Sequence, residues 1–312
     1  MQSVITITMN PAIDLSTSVD EVTPVHKLRC AKANRDPGGG GINVARVITR
    51  LGGNVTAIYP TGGAAGQLLR RLVDAERIRS LTFEVADETR LSFVVSENKS
   101  GDEYRFVLPG PTLSDAEWHR CILDLQRLPI SNGYLVMSGS LPTGVPADFF
   151  ASVARMAKER GLLPVLDTSG PALAAALREG VHLMKPNHRE LQELTGLPLE
   201  DETSRLAVCR DLVARGQAQV IALTLGHEGA LLVTRGAAWR AHALAIKPVS
   251  TVGAGDSFLG AMTWALAGGH DLEDAFRYGI AAGSAALITP GTGLCRQNDV
   301  VRLHGQVSIE MI

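Results

Sequence analysis

The segment Ser250-Thr251-Val252-Gly253-Ala254-Gly255-Asp256-Ser257 carries the residue types best suited to chemistry. Two glycines let the backbone approach a ligand closely, and free amides at a helix start favour an anion. A carboxylate in a first helical turn also complements the helix dipole, so Asp256 taken alone decides nothing. Beside an amide nest, however, it can accept a hydroxyl proton while the amides stabilise charge on a transferring phosphoryl group. Gly253, Ala254, Gly255 and Asp256 are therefore the candidate catalytic group.

A second segment, Pro37-Gly38-Gly39-Gly40-Gly41-Ile42-Asn43-Val44-Ala45-Arg46, is a glycine run opening into a helix. Its spacing fails the dinucleotide fingerprint, no clear strand precedes it, and the Gly-Lys-Ser/Thr ending of a P-loop occurs nowhere in the chain. Four glycines make a wasteful flexible turn, because each loses extra entropy on ordering. Close backbone approach to a small polar ligand explains the run better.

The elements that must carry these segments follow a βαβ rhythm from about residue 130. Tyr134 to Met137, Leu163 to Leu166, His182 to Met184 and Val220 to Leu225 read as buried strands, with Phe149 to Arg160, Ala172 to Arg178 and Leu206 to Arg215 as intervening helices. The tail from Ala254 reads as helical, with stripes through Phe258, Met262, Ala265 and Leu266 and through Ala275, Tyr278, Ala282 and Ala285. The expected fold is a three-layer αβα domain spanning 1–312 around a mostly parallel sheet. Residues of about 12–35 and 82–108 break the rhythm with two-residue alternation and predict a small antiparallel β-sheet lid.

Composition narrows the partners. A net charge of −2 over 312 residues supplies no basic field for nucleic acid. Cys30, Cys121, Cys209 and Cys295 lack metal-ligand spacing, which predicts reduced thiols in a cytoplasmic protein and no zinc. No apolar run approaches the ~20 residues of a membrane span.

Asn10-Pro11-Ala12-Ile13-Asp14, the glycine run ending in Asn43, Ser138-Gly139-Ser140-Leu141-Pro142, Lys185-Pro186-Asn187 with Glu190, and Gly253-Ala254-Gly255-Asp256 stand in the order and spacing of the ribokinase-like carbohydrate kinases. The chain resembles that superfamily over nearly its whole length. Lys27-Leu28-Arg29-Cys30, Gly38 to Gly41, and Tyr104 to Gly110 resemble its minor-type 6-phosphofructokinase branch more than the 1-phosphofructokinase or tagatose-6-phosphate kinase branches.

The resemblance implies ATP- and Mg²⁺-dependent phosphorylation of fructose 6-phosphate, a glycolytic step, with Asp256 as general base. It implies that Asp14, Gly39, Gly40 and Asn43 hold the sugar, and that Lys27, Arg90, Arg105 and Ser140 lie near its phosphate. Asn187 and Glu190 would place magnesium through water with Lys185 beside them, and Thr224, Gly226, Gly229, Gly283 and Ser284 would line the ATP site. A potassium site is implied at Ser250, Val252, Ala286 and Gly291, mostly through backbone carbonyls; Thr289, Pro290 and Gly293 depart there from the more polar or basic residues expected.

Blander readings stand beside these. Asp14 can cap a turn, Lys27, Arg90 and Arg105 can be solvated charges, and Asn187 with Glu190 can be a capping box, which is compatible with the metal role. His188 is read as a surface residue. A nucleotide-binding regulator without turnover is the reading from another class, and retention of Asp256 with Gly253 and Gly255 opposes it. Finally, alternation in the lid puts Leu91, Phe93, Val95, Tyr104, Phe106 and Leu108 on the face away from Arg90 and Arg105, which predicts a homodimer joined lid to lid.

Overall fold

The computed structural model describes residues 1–312. Its main sheet has ten strands. Seven are parallel, in the order β5 (Arg79–Glu84), β4 (Val55–Thr61), β1 (Ser3–Ile7), β8 (Gly133–Ser138), β9 (Leu162–Asp167), β10 (Val181–Met184) and β11 (Ala218–Thr224). Three antiparallel strands, β12 (Ala230–Thr234), β13 (Ala238–Ala241) and β14 (Ile309–Met311), extend it past β11.

The parallel strands are apolar on both faces because helices cover both, as βαβ crossovers require. On one face α1 (Gly40–Arg50), α2 (Gly63–Ala75), α8 (Ala254–Ala267), α9 (Leu272–Leu287) and α10 (Gln297–His304) enclose a core with Ile42, Val47, Phe258, Met262 and Phe276. On the other, α3 (Asp115–Arg127), α4 (Phe149–Glu159), α5 (Gly170–Glu179), α6 (His188–Thr195) and α7 (Glu202–Ala214) enclose a second core with Phe149, Phe150, Leu173 and Leu212. The three αβα layers are those expected, and each strand and helix read from residue 130 onward is present within a few residues at each end. No helix is long and apolar enough to cross a membrane.

The lid departs from its expected form in two respects. Its four strands run β3 (Asn34–Gly38), β2 (Ala12–Val19), β6 (Arg90–Glu97), β7 (Glu103–Val107), and the central pair, β2 with β6, is parallel. Alternation reports which face a residue occupies but not the direction of the neighbouring strand, so the purely antiparallel reading fails there. The boundaries also shift: residues 82–84 belong to β5 at the edge of the main sheet, and β3 runs into the glycine run, so a strand does precede it.

Helices α1 and α8 cross closely because Gly260 has no side chain. A Cβ there would lie 2.8 Å from Val47 Cβ and 3.2 Å from the Val44 carbonyl. Gly260→Val is predicted to force the two helices apart and to cost about 1–3 kcal/mol. Urea unfolding measures it, and an unchanged midpoint would contradict this packing.

Candidate active site

Met9 to Asp14 follow β1, Ser138 to Ser140 end β8, Asp167 ends β9, Lys185 to Asn187 follow β10 and Thr224 to Gly226 end β11. All of them emerge at the carboxyl edge of the parallel strands. The chain winds outward in opposite directions from β1, through β4 and β5 on one side and β8 to β11 on the other. The cleft at such a switch point is where open α/β sheets hold ligands.

Asp256 stands in the first turn of α8, whose N-cap Gly253 has φ 74°. Its Oδ2 accepts a hydrogen bond from Asn43 Nδ2 at 2.9 Å, joining the starts of α8 and α1. Lys185 is buried beside it, ion-paired to Asp167 Oδ1 at 3.1 Å, and its Nζ lies 3.4 Å from where a Gly255 side chain would begin. Burial pushes the Asp256 carboxyl up to about 6, with the Asp167 charge adding to the rise and Asn43, Lys185 and Arg105 opposing it. Burial alone would lower the Lys185 ammonium, but Asp167, Glu190 and Asp256 together hold it above its ordinary value. A carboxyl raised to about 6 thus sits beside a fixed cation and a helix N-terminus, a combination that could serve proton removal with phosphoryl transfer.

The sugar-binding candidates gather around the glycine run. Asp14 lies within reach of the Arg46, Arg90 and Asp256 charges, and burial raises its carboxyl to about 6 despite the two arginines. A side chain on Gly38 would begin 2.2 Å from Asp14 Oδ2, and one on Gly40 would begin 2.3 Å from Ser138 Oγ. The run therefore lets the protein close on itself, seating Asp14 and the β8 turn against α1, before any ligand is considered. Asn10 Nδ2 donates to Ser140 Oγ at 3.1 Å, and Arg90 donates to the Asn10 carbonyl at 3.0 Å. Four buried polar atoms here have no partner: Thr8 Oγ1, Asn10 Oδ1, Ser138 Oγ and Arg90 Nε. Buried polar groups are rarely left unpaired, so this cluster is where a polyhydroxylated ligand could find hydrogen-bond partners.

On the nucleotide side, Asn187 and Glu190 form a capping box on α6, with Asn187 N to Glu190 Oε2 at 2.8 Å and Glu190 N to Asn187 Oδ1 at 2.9 Å. The cap uses one oxygen of Glu190 and leaves Oε1 unpaired, and Asp167 likewise keeps Oδ2. Such hard oxygen donors suit magnesium and its waters, so the pair serves as cap and fits as metal site together. Thr224 bridges Asn187 through its backbone, with Gly226 and Gly229 close after it. A Cβ on Gly283 would lie 3.3 Å from the Ala254 carbonyl across the α8–α9 contact, so its smallness also serves helix packing, with Ser284 half-buried beside it. The carbonyls of Ser250, Val252 and Gly291 accept no hydrogen bond and that of Ala286 accepts one from Thr289, so the first three keep free oxygens that could meet a cation.

The sequence profile of the pfkB family of carbohydrate kinases matches residues 2–299. The chain belongs to that family. Among pfkB-family relatives, the ATP-dependent 6-phosphofructokinase isozyme 2 of Mycobacterium tuberculosis (strain H37Rv) is 45% identical over 96% of this chain and 88% of its own. The isozyme 2 of Escherichia coli (strain K12) is 40% identical over 99% of this chain and 100% of its own. The crystal structure of Escherichia coli phosphofructokinase-2 in complex with potassium superposes with a TM-score of 0.94 at 39% identity, covering 98% and 99% of the two chains.

Not every expected residue of the candidate site is brought together. Lys27 lies in the exposed excursion between β2 and β3 and makes no ion pair or hydrogen bond within the chain. Arg105 is exposed on β7, though its charge reaches Asp256. His188, read as a surface residue, is half-buried and engages the Leu199 carbonyl at 3.0 Å. Sequence reading missed Asp167, which sits at the end of a strand that the reading closed at Leu166, and gave no role to Asn10, Ser138, Glu103 or Arg46. Glu103 accepts from Ser250 Oγ at 3.1 Å, tying the lid to the loop before α8.

Asp256→Asn is predicted to reduce kcat by about 10²–10⁴, with ATP affinity retained. A variant keeping more than roughly a tenth of wild-type kcat would remove Asp256 from the role of base. The base must be ionised, so wild-type kcat is predicted to fall as the pH drops through about 6. Because the folded carboxyl is raised, its charged form costs stability as pH rises from 3.8 towards 6. Asp256→Asn is accordingly predicted to melt no lower than wild type at pH 8.

Proposed function

We propose that the chain, acting as one kinase domain over 1–312, transfers the γ-phosphoryl group of ATP to the free primary hydroxyl of fructose 6-phosphate. The products are fructose 1,6-bisphosphate and ADP, a glycolytic step carried out in the cytoplasm. The observation that carries this reading is the Asp256 carboxylate, raised towards neutrality and held by Asn43 beside Lys185, beneath a lid whose Arg90 has an unpaired buried Nε. The acceptor oxygen bonds to the γ-phosphorus as the bond to the β,γ-bridging oxygen breaks, and Asp256 takes the hydroxyl proton. Lys185 and the amides of Gly253 to Asp256 balance the charge on the transferring group. Asn187 and Glu190 would hold magnesium, which would supply charge neutralisation at the nucleotide phosphates, and the carbonyls of Ser250, Val252, Ala286 and Gly291 would hold potassium.

Fructose 6-phosphate is favoured over fructose 1-phosphate and tagatose 6-phosphate because the relatives named for those activities are less similar to this chain. An ADP-release assay across the three sugar phosphates tests the choice, and a higher kcat/KM for either alternative would reverse it. Arg90→Ala is predicted to raise KM for the sugar phosphate by roughly 10 to 150-fold, the loss of one charge-assisted phosphate contact, with KM for ATP unchanged. An unmoved sugar-phosphate KM would dismiss Arg90 from the phosphate site.

The working form in this reading is a homodimer joined through the lid. In register, Phe93 faces Phe106 with ring centroids 5.0 Å apart, and Val95 faces Tyr104. Phe106 and Leu108 are 48% and 42% exposed in the single chain. Half exposed, each such side chain forgoes roughly half of the about 1.5–3 kcal/mol that full burial contributes, and a two-fold copy of the same face is the simplest cover. Self-association has a precedent in the tetrameric inhibited form of Escherichia coli phosphofructokinase-2. Phe93→Glu is predicted to yield monomers by light scattering and to raise KM for the sugar phosphate; a monomeric wild type with full activity at assay concentration would refute the dimer.

A further inference from the structure

Arg46 is fully buried on α1, one turn after Asn43, and five oxygens surround its guanidinium. Nε donates to Glu76 Oε1 at 2.9 Å and Nη2 to Asp36 Oδ1 at 2.9 Å. Nη1 donates to the Pro37 carbonyl at 3.0 Å, to Asn43 Oδ1 at 3.3 Å and to the Thr292 carbonyl at 3.5 Å. Asp36 belongs to lid strand β3 and also accepts from Thr292 Oγ1 at 2.7 Å, while Glu76 follows α2 and is shared with Arg50 Nη2 at 2.7 Å. One cation therefore joins the lid, α1, α2 and the loop after α9.

We propose that Arg46 is a positioning residue for phosphoryl transfer, fixing the Asn43 amide so that its nitrogen, and not its oxygen, faces Asp256. A primary amide has two orientations of the same shape, distinguished only by what each end meets. With Oδ1 turned to the Arg46 guanidinium, Nδ2 donates to Asp256 Oδ2. In the flipped orientation the guanidinium would meet an NH₂ group and the Asp256 carboxylate would meet a carbonyl oxygen, two repulsive pairs at once. Asn43 thus holds one Asp256 oxygen and leaves Oδ1, which has no protein hydrogen bond, for the substrate hydroxyl. A guanidinium suits the task because it neutralises two carboxylates and retains a donor for the amide, more than three ammonium donors on a shorter reach can serve.

The inference rests on Asp256 as the base, and its test separates the two. The groups facing Asp256 are Asn43 on α1, Asp14 on β2, Arg105 on β7, Asp167 on β9 and Lys185 after β10. Removing the Asn43 donation takes away one influence that favours the charged form, so the acid limb of kcat moves to higher pH. Arg46→Lys is expected to lower kcat about tenfold or more, the loss of one charge-assisted bond, with KM for ATP unmoved and the acid limb raised by about half a pH unit or more. Arg50→Lys, which disturbs the same Glu76 pair without touching Asn43, is expected to keep kcat and the limb of wild type. If Arg46→Lys does not fold, Arg46→Met with Glu76→Gln, which removes the guanidinium together with one carboxylate, takes the same test. A folded Arg46 variant with wild-type kcat and limb overturns the proposal, as does an equal shift in Arg50→Lys. An active Asp256→Asn variant would instead overturn the base itself.

Discussion

The hydrogen bond between Asn43 and Asp256 is the constraint on which the rest of the structure depends. It requires two helix N-termini to meet over the carboxyl edge of the sheet, with a carboxylate enclosed between them. Enclosure raises the carboxyl, and a buried charge persists only where it is paired or hydrogen-bonded. Lys185 supplies the counter-charge, Asp167 fixes Lys185, and Gly255 leaves room for its ammonium group. The close crossing of α1 and α8 through Gly260, and the small residues at Gly38 and Gly40, follow from the same requirement. The core beneath is arranged so that buried Asn43 and half-buried Asp256 stand 2.9 Å apart.

The lid belongs to the same arrangement. Its inner face carries Asp14, Arg90 and Arg105, and three polar ties anchor it to the helical layer: Asp36 to Arg46 and Thr292, Glu103 to Ser250, and Arg90 to the Asn10 carbonyl. One of these ties, Glu103 to Ser250, ends on the loop that leads into the Gly253 to Asp256 turn of α8. Its outer face is apolar and partly uncovered, which is why the proposed dimer and the proposed substrate site share one small sheet.

Much of this was legible in the sequence because it follows from local rules. Apolar runs of strand length between helical segments gave the parallel core, and Gly253 to Asp256 announced a helix start beside a carboxylate. Two-residue alternation correctly separated Phe93 and Phe106 from Arg90 and Arg105. What was not legible depends on pairing across long separations. Nothing in residues 12–19 or 90–97 states that their strands run parallel, and Asn34 to Gly38 is too polar and too rich in glycine and proline to read as a strand. Asp167 was lost to a strand boundary drawn one residue early. Arg46 looked like any helical arginine, because its partners Asp36, Glu76 and Thr292 converge only in three dimensions. The glycines were read as making space for a ligand, whereas much of that space is filled by Asp14 and Ser138.

The central claim is that the fold holds the Asp256 carboxyl near neutrality. The most direct measurement is a ¹³C NMR titration of the protein labelled at the aspartate carboxyl carbon, with the Asp256 resonance identified by its absence from Asp256→Asn and the Asp14 resonance by its absence from Asp14→Asn. The account predicts that the Asp256 signal titrates with a midpoint of about 6. A midpoint at the ordinary aspartate value of 3.8 would contradict it, because the carboxylate would then be an ordinary solvated group at a helix end.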